Sequence, residues 1–291
     1  MVRHVCESSV FSRARLRLAL LLSVFGALAA CHKPRPNPNA KPLLPKLDAS
    51  SWIVDLDVAG FGKAAVAVPL GATTARPLVI ALHGVADRPE WACAALRAIA
   101  GPAPFVLCPR GVQRTDLPAS DVRYTFGSAD DAARELRAAL TALKQRYGAH
   151  LASGPVVFAG FEIGADHVAW IAREEPAFFA RLLLVAPSPS SWSSSQAALF
   201  GRGGGQRVLF AYGPGQQNEF QLKALLTVRG GAEARTVFLG DRPPTLDTAS
   251  CVLLAKEWHW LTAPTSKPPT IENLAGNALP ASGPRPGRPA H

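Results

Sequence analysis

The sequence is short of several residue types and lacks several motifs. Met1 is the only methionine, and no histidine lies between His167 and His259. No glycine-rich loop follows an apolar run in the pattern that binds phosphate, and no cysteines, histidines or aspartates have the spacing of a zinc or calcium site. These absences exclude the nucleotide-binding and metal-binding classes that short motifs identify. We therefore predict no cofactor and no metal.

Positive charge is in excess, but the excess lies at the two ends of the chain. The 291 residues include 31 basic and 21 acidic ones, for a formal net charge of +10. Residues 48–263 contain 20 of the basic and 19 of the acidic residues, so this central part is nearly neutral. A nearly neutral domain has no overall electrostatic reason to bind nucleic acid, and we predict no such partner.

No apolar run is long enough to span a bilayer, and the longest lies near the N-terminus. Residues 18–30 follow three arginines and have the length of the hydrophobic region of a signal peptide. The run ends in "LAAC", at Cys31, which resembles the lipobox of bacterial lipoproteins. The resemblance implies removal of 1–30, acylation of Cys31 and a membrane anchor, with the protein exported to the periplasmic side of a membrane or the cell surface. An ordinary secretory signal cut nearby is the alternative.

The ends of the mature chain have the composition of unfolded segments. Residues 31–47 are rich in proline and contain no acid, which predicts an extended tether after the lipidated cysteine. Residues 264–291 are similar and are predicted to be a disordered tail.

Three cysteines remain in the mature chain after Cys31. They are Cys93, Cys108 and Cys251, so at most one disulfide can form within the chain, between two of the three. The alternative is that all three are small buried side chains.

Between 48 and 263, apolar runs alternate with amphipathic segments. Several runs are almost continuously apolar, as in strands that are buried on both faces of a parallel sheet. They comprise 76–84, 104–111, 155–161, 181–187 and 207–213. Helices are predicted between them, with Ser128 as the N-cap of the strongest one. The pattern predicts one α/β domain with a mostly parallel sheet of about eight strands and helices on both faces. The segment "GRGGGQ" (201–206) is predicted to be a flexible connection.

The stretch "VVFAGFEIGAD" (156–166) has the spacing of G-x-S-x-G, the turn that exposes a serine nucleophile between a strand and a helix. Together with "ALHG" after an earlier strand, it resembles the α/β-hydrolase superfamily, especially its small lidless esterases and depolymerases, over about residues 50–262. The resemblance implies that His83 and Gly84 shape the oxyanion loop. It places Glu162 at the nucleophile position, with the backbone N–H of Ile163 facing an oxyanion. We expect the Glu162 carboxylate to stay ionised and to cap the helix N-terminus.

The other catalytic positions of the family carry different residues. Where the resemblance implies an acid, after "RVLFAYG", the sequence has Gln216, Gln217 and Asn218; where it implies a histidine, after "TVFLG", it has Asp241 and Arg242. A serine without an oriented imidazole is a poor nucleophile, and here the serine is missing too. The triad is therefore degenerate.

Two main functions remain open, beside that of an enzyme whose site lies elsewhere in the chain. The first hypothesis is a non-catalytic envelope protein, a pseudoenzyme, that binds a small ligand or another envelope protein. The alternative is a hydrolase, either esterase-like or with Glu162 as a carboxylate nucleophile, as the haloalkane dehalogenases and epoxide hydrolases use aspartate. In that case only His83 could serve as the base.

Overall fold

The computed structural model describes residues 43–265. The strands are β1 (Ile53–Leu56), β2 (Ala64–Ala67), β3 (Leu78–Leu82), β4 (Phe105–Cys108), β5 (Val112–Gln113), β6 (Tyr124–Thr125), β7 (Val157–Phe161), β8 (Arg181–Val185), β9 (Arg207–Tyr212) and β10 (Glu233–Phe238). Eight of them form one sheet in the order β1-β2-β4-β3-β7-β8-β9-β10. Only β2 runs against the other strands of this sheet, and it pairs antiparallel with β1 on one side and with β4 on the other. The mostly parallel sheet is thereby confirmed.

Six α-helices within residues 43–265 cover the sheet. They are α1 (Pro89–Ala100), α2 (Ala129–Tyr147), α3 (Ile163–Ala172), α4 (Ser194–Arg202), α5 (Gln217–Arg229) and α6 (Thr248–Thr262). The core packs α2 to α5 on one face of the sheet and α1 with α6 on the other, which confirms helices on both faces. Ser128 caps α2 as predicted, because its hydroxyl accepts the N–H of Asp131 while the Asp131 carboxylate accepts the N–H of Ser128.

The prediction of a flexible connection at 201–206 was wrong for its first two residues, although 203–206 do connect α4 to β9. Gly201 and Arg202 complete α4, and a Cβ at Gly201 would overlap the carbonyl oxygen of Gly230, just after α5. The glycine is needed here because the ends of two helices meet at backbone distance. Neither α4 nor the small β5–β6 hairpin was predicted from the sequence.

A disulfide joins Cys93 of α1 to Cys108 of β4, and Cys251 is a free, buried thiol. Among residues 43–265, none of the helices combines the length and apolar character needed to cross a membrane. The described residues from Leu44 to Thr265 belong to one compact unit, and both core clusters lie within it. The predicted tether and tail, and Cys31, lie outside the described residues or at their margins.

Because the strands are mostly parallel, they end along one side of the domain and begin along the opposite side, and these two sides are its edges. His83 follows β3 and Glu162 follows β7, so both lie at the edge where the strands end. The helices run back and finish at the opposite edge, where the strands start. There, Arg181 and Arg207 at the starts of β8 and β9 both donate to the carbonyl oxygen of Ala263, after α6. These are called the strand-end edge and the strand-start edge below. Open α/β sheets bind ligands at the strand-end edge.

Candidate functional site

The segment around Glu162 forms a sharp strand-to-helix turn at the strand-end edge. Glu162 has φ 51° and ψ −121°, between the end of β7 and the first residue of α3. A Cβ at Gly160 would lie 2.5 Å from the Cα of Ala165, and one at Gly164 would lie 2.5 Å from the carbonyl oxygen of His83. Both glycines are therefore required by close backbone packing, which explains the pattern in the sequence.

Backbone strain is concentrated at this edge. Three residues other than glycine have positive φ among residues 43–265: Ala86 at 54°, Glu162 at 51° and Ala186 at 51°. They follow β3, β7 and β8, which are neighbours in the sheet. Side chains with a Cβ adopt this conformation at a cost, and such residues cluster at functional sites.

The Glu162 carboxylate lies against the loop that follows β3. The backbone N–H of Val85 donates a hydrogen bond to it, and a Cβ at Gly84 would lie 2.7 Å from its Oε2. The loop that is implied to shape an oxyanion hole therefore contacts the side chain of the elbow residue itself. A ligand oxygen would have to displace the carboxylate in order to reach the Val85 N–H.

The electrostatic environment of Glu162 differs from our expectation. Partial burial, and secondly the nearby charge of Asp87, raise the pKa of the Glu162 carboxyl, and the hydrogen bond from Val85 opposes the shift only in part. The side chain makes no capping hydrogen bond to α3. The expectation that the carboxylate caps the helix was therefore wrong, because the side chain turns to the Val85 loop instead.

His83 is placed as a structural residue. Its ring is fully buried, stacks on Phe126 at 4.6 Å, and has Nδ1 2.8 Å from the carbonyl oxygen of Gly84 and Nε2 2.8 Å from that of Arg110. A neutral imidazole has one N–H and can donate to only one of these oxygens. Both ring nitrogens face backbone carbonyl oxygens and neither faces the elbow, so His83 is not arranged to take a proton from a nucleophile.

Ile163 begins α3, next to Glu162. As the first residue of the helix it presents a backbone N–H that has no partner within the helix. Its backbone is thus at the place implied for the oxyanion donor, beside the Gly84–Val85 loop.

The positions of the missing acid and histidine are also at the strand-end edge. Gln216 follows β9, and its side-chain oxygen accepts the N–H of Gly213. Asp241 follows β10 and is exposed. Gln217 and Asn218 are already in α5, and no histidine lies in either loop.

The remaining described histidines do not supply the base. His150 contacts the carbonyl oxygen of Pro45, and exposed His259 lies in the last turn of α6, both at the strand-start edge. His167 is buried in α3 and lies edge-on to Phe126. Burial lowers the pKa of His167, against the opposing charge of Asp166, so this imidazole is kept neutral inside the domain.

Sequence reasoning missed Asp87 and a group of charged residues beside it. The Asp121 carboxylate pairs with Arg88 and Arg123, and both guanidinium groups lie over the Trp91 ring, 5.2 and 4.4 Å from its centre. Arg123 lies in the segment between β5 and β6, directly before β6. The only sequence signal was the position of Asp87 shortly after "ALHG".

A buried lysine was also missed. Lys223 of α5 donates to the carbonyl oxygen of Pro189 at 2.6 Å, and Glu219 lies 3.5 Å from its ammonium. Burial lowers the pKa of Lys223, while the charges of Glu219 and Asp166 act the other way. Asp166 in turn accepts the N–H of Ser188. These contacts hold in place the loop after β8, which borders the strand-end edge.

A cavity of about 10 Å³ lies below the elbow. Its lining is apolar and includes Leu82, Gly160, Phe161, Val185 and Leu246. That volume is about the minimum for one water molecule, and the lining offers a water no polar side chain. The cavity is therefore a packing defect and not a substrate pocket.

Comparison with solved structures identifies the architecture. TT1662 from Thermus thermophilus is similar with a TM-score of 0.51 and 17% identity, over 73% of this chain and 98% of its own. A dienelactone hydrolase from Anabaena variabilis gives 0.50 and 16%, over 72% and 96%. Est1E from Butyrivibrio proteoclasticus gives 0.50 and 11%, over 72% and 97%. The fold is of the α/β-hydrolase type.

Sequence comparison adds nothing to this result. No protein-family model matches the chain, and no curated protein does. At these levels of identity, similarity to solved structures shows a shared fold and leaves the activity to be argued from the site.

Proposed function

We propose that this chain is a lipid-anchored protein of the bacterial envelope that binds a ligand or another envelope protein at its strand-end edge and does not use triad catalysis. One observation carries the proposal. The Glu162 carboxylate replaces the nucleophile and at the same time accepts the Val85 N–H in the oxyanion loop. A single side chain therefore occupies two places that an esterase must keep free for its substrate.

The missing base supports the same conclusion. His83 is the one histidine next to the elbow, and both of its ring nitrogens face backbone carbonyls. Gln216 and Asp241 stand where the acid and the base would be needed. General-base catalysis is worth on the order of 10²–10⁴-fold in rate, and no side chain near Glu162 in the described part of the protein is arranged to supply it.

The charges near Glu162 indicate the chemistry of the ligand. Asp87 and Glu162 repel each other, and together they disfavour a carboxylate or a developing oxyanion. A ligand group that donates hydrogen bonds, such as an ammonium or a hydroxyl, relieves this repulsion.

A hydrolase is the second candidate, and the structural comparisons favour it over a non-catalytic role. A dienelactone hydrolase shares the fold. The elbow keeps its strained backbone, and a carboxyl group with a raised pKa is suited to proton transfer. In this reading the ionised Glu162 carboxylate attacks the substrate carbon and forms an ester as the epoxide C–O bond opens or the halide ion leaves. Water then hydrolyses the ester, which releases the alcohol and restores the carboxyl group.

A panel of short-chain esters, epoxides and haloalkanes separates the two candidates. It is run on the wild type, on Glu162→Ala and on His83→Ala, with circular dichroism to check that each variant is folded. We expect no turnover by any of the three proteins. Turnover by the wild type that disappears in folded Glu162→Ala would establish the hydrolase.

The anchor is a separate part of the proposal. Cys31 ends a signal-like segment, and the mature chain has no other long apolar run to hold a bilayer. Cells given labelled palmitate should label the wild type and not Cys31→Ser. Equal labelling of both would contradict the anchor.

A further inference from the structure

The charged residues in the end turns of the helices are sorted by sign. Acidic residues stand at helix N-termini, at the strand-end edge: Glu90, Asp130, Asp131, Asp166, Glu219 and the N-cap Asp247. Basic residues stand in the last turns, at the strand-start edge: Arg97, Lys144, Arg146, Arg202, Arg229 and His259. Each placement also favours its own helix dipole, so the polarity alone identifies no partner.

Helix α5 carries a second, independent feature, because its apolar side chains face outward. Its buried face includes Phe220 but also the polar residues Lys223 and Thr227. Leu222, Leu225 and Val228 are 55%, 47% and 55% exposed. A helix that served only the core would show the reverse arrangement.

The outward apolar face continues onto α4. Gly201 and Gly230 bring the ends of α4 and α5 into backbone contact, and Leu199 of α4 is 48% exposed. Arg202 and Arg229 end the two helices and are exposed, and neither has an ion-pair partner within residues 43–265. The α4–α5 corner is defined by five residues: Leu199, Arg202, Leu225, Val228 and Arg229.

We propose that the α4–α5 corner lies on an anionic lipid surface. Exposed leucine and valine side chains flanked by arginines suit the boundary between headgroups and acyl chains, and each basic residue near anionic lipid adds to the attraction. The phosphate groups pair with Arg202 and Arg229, which lack acidic partners in the described part of the protein.

The place where the chain enters the domain agrees with this orientation. The backbone N–H of Leu44 donates to the carbonyl oxygen of Thr73, and the backbone of Arg76 forms a β-bridge with that of Leu151. Both contacts lie at the strand-start edge. The distance from β3 to β10, the strand that follows α5, is four strand spacings, or roughly 20 Å. A fully extended chain as long as residues 32–43 spans at most roughly 40 Å, which exceeds that distance. A lipid at Cys31 therefore allows the corner to reach the membrane. The strand-end edge, with Glu162, then faces away from the lipid.

This inference rests on the proposed membrane location but not on acylation, so the two can fail separately. The experiment uses residues 32–291, which lack Cys31 and contain the whole compact unit. Binding is measured by co-sedimentation with vesicles of phosphatidylcholine, with and without phosphatidylglycerol. We expect binding only with phosphatidylglycerol, and its loss at high salt.

The variant Arg202→Gln with Arg229→Gln tests the corner. We expect its affinity for the anionic vesicles to fall by roughly 25-fold, about 5-fold for each of the two charges removed. The matched control is Arg134→Gln with Arg242→Gln, which removes two exposed arginines outside the strand-start edge and should bind as the wild type does. Equal losses in both double variants, or no wild-type binding to anionic vesicles, would overturn the proposal. So would a dimer of the wild type that the corner variant abolishes, since a second copy would then cover this surface.

Discussion

The loops after β3 and β7 differ from the loops after β9 and β10, although all four lie at the same edge of the sheet. The first pair keeps the backbone of an α/β-hydrolase site, with a strained elbow and the Gly84–Val85 loop against it. The second pair has a glutamine and an exposed aspartate at the places for an acid and a histidine. The two pairs of loops therefore differ in backbone strain, in packing and in the side chains that they carry.

Packing accounts for the difference. Gly160 and Gly164 hold α3 against β7 and β3 with almost no space for a Cβ, so any change there disturbs the core. Asp241 is exposed and makes no contact that the fold depends on within the described residues. The first pair of loops is thus constrained by packing, whereas the loop after β10 is not.

The largest expected effect is on the first pair of loops. Gly164→Ala brings a Cβ against the carbonyl oxygens of Leu82 and His83 and should lower the free energy of unfolding by about 3 kcal/mol. Gly148→Ala is the control, because it meets no atom within 4 Å and its φ is −52°. Urea denaturation measures both. Similar stabilities for the two variants would show that the elbow is not tightly packed.

An intermediate effect is expected from the charge at Glu162. The pKa of its carboxyl is higher in the folded than in the unfolded chain, so ionisation weakens the folded state. The wild type should match Glu162→Gln at low pH and lose stability relative to it as the pH rises from the usual value of 4.5 through the raised pKa. The loss stays below about 1 kcal/mol because the side chain is exposed.

Asp87→Asn tests the cause of that pH dependence. With the repulsion removed, the difference between the wild type and Glu162→Gln should shrink in the Asp87→Asn background. Thermal unfolding at several pH values measures it. If the stability difference is unchanged in the Asp87→Asn background, burial alone raises the pKa of Glu162.

The smallest effect is expected at the second pair of loops. Asp241→His introduces the residue that the family implies, and it should change the free energy of unfolding by less than about 0.5 kcal/mol because the site is exposed. A loss of more than about 1 kcal/mol would mean that this loop is as constrained as the elbow.

The sequence predicted the elements whose signals are local and strong. Continuous apolar runs predicted the central strands, the Ser128 box predicted the start of α2, and two glycines predicted the elbow. Helix α4 was missed because serines precede it, glycines follow it, and only Ala197, Phe200 and Gly201 are buried.

The electrostatics of the site could not be predicted because they depend on contacts between distant segments. Asp87 raises the pKa of Glu162 only because β3 and β7 are neighbours in the sheet. The Val85 N–H draws the Glu162 carboxylate away from the cap of α3 for the same reason. Sequence reasoning assigned the residue to the correct turn and its carboxylate to the wrong partner.

The central claim is that no base serves the elbow, and Glu162→Ser tests it most directly. A fluorophosphonate reacts with a serine only when its hydroxyl is activated by a neighbouring base. The variant is incubated with the reagent beside a known serine esterase, and position 162 is examined by peptide mass spectrometry. We predict no label at position 162 while the esterase is labelled fully. Stoichiometric labelling at position 162 would show that a base is present and would contradict the account.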